Sequence, residues 1–179
     1  IVFTFATAEV NFIGQLFIKI TELFTGKLKL KKLYDEYISE NRPPEFFWDD
    51  AVDKLKFNLI TNFQDGSYIP KSGKLIVIAN HAFGVADGLS ICSMISKVRQ
   101  DYKMVTHKVL RQADAVKDKI LPIDFNGTKD ALLTNINTRK EAEKVLQNEG
   151  VLILFPSGRI ATKHNLSKLT KADDGEWKQ

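Results

Sequence analysis

The sequence predicts an α/β domain: a mainly parallel sheet flanked by helices, with an amphipathic helical segment ahead of it. Three observations lead there. Short apolar runs recur from residue 73 onward: "KLIVIAN", "YKMVTH", "ILPIDF" and "GVLILFP". Each has strand length and is bounded by turn residues. Between them lie stretches with helical spacing, and strands that alternate with helices build a parallel sheet with helices on its faces. Helix-spaced apolar residues mark the segments before residue 70.

In order along the chain, "AEVNFIGQLFIKITELFTG" places Phe12, Ile13, Leu16, Phe17, Ile20, Leu23 and Phe24 on one broad helical face, with Gly26 as a stop. Lys27, Lys29, Lys31 and Lys32 then alternate with leucines, until Pro43 and Pro44 break the pattern. "PEFFWDDAVDKLKFNLI" reads as a further helix, opened by proline and early acids. Helices are expected over 87–98, as a short piece over "VLRQADAV", and over "KDALLTNINTRKEAEKVLQ", the last stopped by Gly150. The reading is one domain over 1–179, with a helical annex over 1–70 and an α/β core over 71–165; "LTKADDGEWKQ" is a polar tail.

With 44% hydrophobic and 27% charged residues, the 179-residue chain is globular in composition and long enough for one core. The single cysteine, Cys92, excludes a disulfide framework. Lying in the apolar "ICSMI", it reads as core packing rather than as a nucleophile, since no electropositive neighbour is in view to make a thiolate. The net charge of +4 and pI near 9.0 favour anionic partners. No run approaches the roughly twenty apolar residues of a spanning helix, and no signal-peptide pattern shows; with Ile1 first, an upstream anchor stays open.

Chemistry-bearing residues gather at strand ends. "NHAFGVADG", Asn80 to Gly88, follows the first apolar run. An acid that bonds one imidazole nitrogen fixes the tautomer and leaves the other nitrogen free to take a proton. His81 and Asp87 therefore suit a general base for a hydroxyl, although on these nine residues alone a structural turn contact is the plainer reading. "FPSGRIA" follows the last run, and strands of one parallel sheet deliver their C-terminal ends to one edge, where the two motifs meet. Glycine beside arginine there, Gly158 and Arg159, suits a phosphate, with a surface turn and a solvated arginine as the equal alternative in isolation. Ser157 lacks the setting of an esterase nucleophile elbow and reads as a turn residue. His107 and His164 have no partner in view, and no metal-ligand spacing appears.

With both motifs on the page, the chain resembles the glycerolipid and lysophospholipid acyltransferases. The nearest likeness is to a bacterial branch of 1-acylglycerol-3-phosphate acyltransferase-like enzymes with five residues between the histidine and the acid. "TGKLKLKKLYDEY" and "FFWDDAV" resemble that branch too, so the likeness runs from about residue 10 to 165. The resemblance implies O-acyl transfer in phospholipid biosynthesis. The acyl group comes from a coenzyme A or acyl-carrier-protein thioester, and the acceptor is the hydroxyl of a lysophospholipid, glycerol 3-phosphate or a related lyso-lipid. It implies His81 as base, Asp87 as its orienting acid, and Gly158 and Arg159 in the acceptor's phosphate site. No cofactor or metal is expected beyond the thioester substrate.

The chain departs from the commonest family pattern at several points. Five residues rather than four separate His81 from Asp87, with Gly84 placed to absorb the extra one; Ser157 stands for a glutamate, and Arg159 and Ile160 for a threonine-arginine pair. Lys108 and Arg111 are possible phosphate ligands, with solvated helix charges as the plainer alternative, and Phe125 stands where a basic residue is common. The family pattern continues past this point, so truncation at the C-terminus is expected. The apolar stripe over 12–24 and the four lysines after it either face the core or dock on an anionic membrane surface. With the resemblance in hand the dock is favoured, which makes the expected location peripheral, on the cytoplasmic face of a membrane. A catalytically silent lipid-binding module is the alternative of another class. Nucleic-acid binding is not expected, because the lysines lie among leucines and phenylalanines and no recognition motif is seen.

Overall fold

The computed structural model describes residues 27–61 and 68–157, with side chains from residue 31 onward. Within them, α1 (Lys27–Ser39) is followed by a 3-10 turn (Pro44–Phe46) and α2 (Phe47–Lys54). The α/β part is β1 (Leu75–Ile78), α3 (Val85–Ser96), β2 (Tyr102–His107), two 3-10 turns (Lys108–Gln112 and Lys117–Lys119), β3 (Ile120–Ile123), α4 (Lys129–Gln147) and β4 (Val151–Leu154). The apolar stripe over 12–24, its stop at Gly26 and the tail lie outside the described residues.

The strands form a four-stranded, wholly parallel sheet in the order β1-β4-β2-β3. The chain crosses from β1 to β2 through α3, leaving a gap that β4 later fills from the opposite direction through α4. Right-handed crossovers in opposite directions put their helices on opposite faces. Accordingly β4, in the interior of the sheet, is buried along three consecutive residues, Val151, Leu152 and Ile153. Leu75 and Val77 of β1 alternate inward, while Ile76 and Ile78 face out.

Helix ends follow local chemistry. The Thr128 hydroxyl accepts a bond from Ala131 N at 3.1 Å and caps α4, with Asp130 in the first turn and Lys144 in the last, as the helix dipole favours. Beyond α4, Gly150 N bonds Val145 O and Glu149 N bonds Leu146 O, the paired bonds of a Schellman motif. The left-handed residue is Glu149 (φ 60°), not the glycine that the sequence offered as the stop. Gly150 is needed for space: a Cβ there would stand 2.8 Å from Asp101 O and 2.9 Å from the Val145 backbone. The same motif closes α2, with Lys56 (φ 58°) left-handed and Phe57 N on Val52 O, so this helix ends at Lys54 instead of running on toward Ile60. The short helix expected over "VLRQADAV" is a 3-10 turn, and α3 begins and ends two residues earlier than 87–98.

The main core lies between α1, α2 and α3 on one side and one face of the sheet on the other. Tyr34, Tyr37, Phe47 and Trp48 form an aromatic cluster with edge-on contacts at 5.1–6.2 Å. Trp48 also donates from Nε1 to Tyr102 Oη at 2.6 Å, a buried bond tying the annex to β2. Burying a large apolar side chain contributes roughly 1.5–3 kcal/mol, so this cluster fastens the annex firmly. Asp49 of α2 accepts from the buried Ser93 hydroxyl of α3. Cys92 is fully buried there and its thiol is pushed up to about 12 by burial, which bears out its packing role. At the opposite edge, Arg99 is buried and holds Asp101 together with the carbonyls of Pro70, Gly73 and Glu149.

Candidate functional site

β1 ends at Ile78, and the chain turns through Asn80–Gly84 into α3, whose first turn carries Asp87. Gly84 makes that turn possible. Its φ of 63° and ψ of −118° lie where a side chain is strongly strained, and it precedes the helix as its N-cap. Asp87 Oδ2 accepts from Phe83 N at 2.9 Å and lies 3.3 Å from His81 Nδ1. That approach is close enough for an ion pair but too oblique for a hydrogen bond, so the buried Nδ1 has no bonded partner.

The other face of the imidazole packs on the last strand. The His81 ring is 4.5 Å from the Phe155 ring, tilted by 31°. This joins the two motifs at one sheet edge, as the parallel topology predicts. Ser157 is an exposed turn residue, as expected, while Gly158 and Arg159 lie outside the described residues.

His81 stands in the wall of a cavity of about 360 Å³ between the sheet and α1–α3, within the size range of small-molecule sites. The wall is mostly hydrocarbon and aromatic: Tyr34, Phe47, Leu55, Leu89, Met104 and Val116 are representative. Its few polar groups are His81, His107, Thr106, Lys54 and the tips of the tyrosines and Trp48. Lys54 is held by Glu40 at 2.6 Å.

His107 was passed over in the sequence for want of a partner. It ends β2 as His81 follows β1, and that shared position at a strand end was the available signal. Its Nδ1 accepts from Val109 N at 3.1 Å, and its ring stacks on Phe125 at 5.8 Å. Burial holds this imidazole below its usual range, with Asp124 opposing and Lys108 adding. An Nδ1 that accepts a backbone N–H puts the neutral ring's proton on Nε2.

The two possible phosphate ligands differ. Lys108 Nζ bonds the buried Asp124 carboxylate at 2.7 Å, which holds that carboxyl below the usual range. Arg111 is exposed in the 3-10 turn. Among the described residues no group of His, Cys, Asp and Glu side chains is arranged to hold a metal ion, and no helix is long and apolar enough to cross a membrane. Comparison with family models, with curated proteins and with solved structures finds no significant match to this chain.

Proposed function

We propose that this chain is an O-acyltransferase. It moves a fatty acyl group from a coenzyme A or acyl-carrier-protein thioester to the hydroxyl of a lysophospholipid, glycerol 3-phosphate or related lyso-lipid, as a peripheral protein at the cytoplasmic face of a membrane. The observation that carries the reading is the placement of an acid-paired histidine in the wall of an apolar cavity. Such a cavity suits a fatty chain, and the imidazole at its wall suits the reacting hydroxyl. The family resemblance of "NHAFGVADG" and "FPSGRIA" supports the same chemistry and the glycerolipid acyltransferase-like fold.

The steps balance without a covalent enzyme intermediate. Asp87 holds the His81 Nδ1 side, leaving Nε2 to take the proton of the acceptor hydroxyl. The acceptor oxygen attacks the thioester carbonyl, and the C–O bond forms. The tetrahedral intermediate then expels the thiolate, the C–S bond breaks, and the imidazolium returns its proton to the sulfur. The products are an oxygen ester and a free thiol. Gly158 and Arg159, with Lys108 and Arg111, are the proposed phosphate grip, Lys108 acting only by sharing or exchanging Asp124.

The test offers acyl-coenzyme A and acyl-acyl-carrier protein to the whole chain, each with lysophosphatidate and with glycerol 3-phosphate. Ester product and free thiol are counted together. Equal amounts of both support acyl transfer. Tight uptake of fatty chain with neither product assigns the chain to the silent lipid-binding class instead.

A further inference from the structure

Helix α4 buries one side and leaves an apolar side bare. Ala131 and Thr138 are buried against the sheet, where Asn135 bonds the Asp124 backbone and the Thr138 hydroxyl bonds Pro122 O. At about 100° per residue, Leu133 and Ile136 fall on the opposite side, with Leu132 on their shoulder. Leu132 and Leu133 are 60% and 58% exposed. Among the described residues they do not serve the core, to which the helix turns its other side.

Charge and position narrow the occupant. The same outer side carries Lys129 before the leucines and Lys140 after Ile136, and among the described residues neither lysine forms an ion pair. Of the acids nearby, Asp130 and Glu141 lie on the flank and Glu143 stands beside Ile136; Glu141 is taken by Lys144 and Glu143 by Arg139. A stripe of leucines and isoleucine bracketed by lysines can bury its apolar centre in a membrane interface while the long stems lift their charges to the headgroups. A two-fold pairing of this face with its own copy would set lysine against lysine. The N-terminal half of α4, with the exposed Phe125 just before it, starts at the C-terminal edge of β3.

We propose, building on the peripheral membrane placement above, that the outer side of α4 docks on an anionic lipid bilayer. This surface is a different stretch of the sequence from the stripe over 12–24. It is read by binding alone, so its failure and a failure of acyl transfer are distinguishable.

The experiment sediments the full chain with phosphatidylcholine vesicles, with and without phosphatidylglycerol. Two variants run beside it, Leu133→Ser with Ile136→Ser, and Lys129→Glu with Lys140→Glu; both leave residues 1–32 intact. The wild-type chain should bind the anionic vesicles, and added salt should weaken that binding. Each variant should lose about tenfold or more in partitioning at an unchanged melting temperature. Wild-type-level binding by both variants, or no wild-type binding at all, overturns the proposal. So does self-association that the serine pair abolishes, which would make the face a contact between copies. A fall in melting temperature with the serine pair would make the leucines core and overturn it as well.

Discussion

The imidazole of His81 rests on the ring of Phe155, 4.5 Å between centroids and 31° from parallel. Phe155 follows β4, and β4 lies next to β1, so the sheet itself delivers this partner. Asp87 Oδ2 lies 3.3 Å from the His81 Nδ1 on one side, and Phe155 packs against the ring on the other. Replacing Phe155 with Ala should free the ring, lowering kcat between about tenfold and 10²-fold with KM little changed, since a small misplacement of a catalytic group is costly. Phe155→Leu should fall in between. Steady-state kinetics on folded protein check this, and a change confined to KM would make Phe155 a substrate contact instead.

The acyl-transfer proposal gives Asp87 a second task beside its bond to Phe83 N, and substitution separates the two. In Asp87→Asn the amide oxygen can still accept from Phe83 N, so the turn should stand and the melting temperature should hold. The orienting charge is gone, and kcat should fall on the order of 10²–10⁴-fold. Asp87→Ala should lose the turn bond as well and show a lower melting temperature. Equal activity of Asp87→Asn and wild type would reduce the acid to a turn residue.

Much of this site could be read in the sequence because it is local. Asn80–Gly88 is one strand-turn-helix unit, and the spacing of its glycine and acid determines its shape. For the same reason α4 agrees with the sequence residue for residue, its Thr128 cap and periodicity being written in one stretch. The cavity was not legible. Its wall is assembled from α1, α2, α3 and β2, and depends on pairings such as Trp48 with Tyr102 that no local pattern encodes. The end of α2 was missed because a lysine and not a glycine takes the left-handed position there.

Arg99 was missed for the same nonlocal reason. One buried guanidinium holds the carbonyls of Pro70, Gly73 and Glu149, all distant in sequence, together with the neighbouring Asp101. Arg99→Ala strands those acceptors, and each unsatisfied buried group costs roughly 1–3 kcal/mol. The variant should lose at least about 2 kcal/mol in denaturant unfolding. Lysine should recover only part, lacking the planar fork. An unfolding midpoint within error of wild type would contradict this role.

Acid should destabilise the fold through three groups. The hydrogen bond from Arg99 lowers the Asp101 carboxyl, the hydrogen bond from Lys108 lowers Asp124, and burial lowers His107. A folded-state pKa below the unfolded one means that the unfolded chain binds the proton more readily, so acid favours unfolding. The His107 contribution is complete above the unfolded value of about 6.5 and is lost as pH falls through its folded value; the two carboxylates act below about pH 4. Melting curves across pH should therefore fall in two stages. Asp124→Asn should lower stability at neutral pH and flatten the acid stage, and an unaltered acid stage would count against the Lys108–Asp124 pair.

The most direct test of acyl transfer through His81 compares wild type with His81→Ala. Each is incubated with acyl thioester and lysophosphatidate, and the product ester is measured by mass spectrometry. The wild-type chain should form diacyl product, and the variant, equally folded by melting curve, should form it on the order of 10²–10⁴-fold more slowly. Product formation at the wild-type rate by folded His81→Ala would contradict the mechanism.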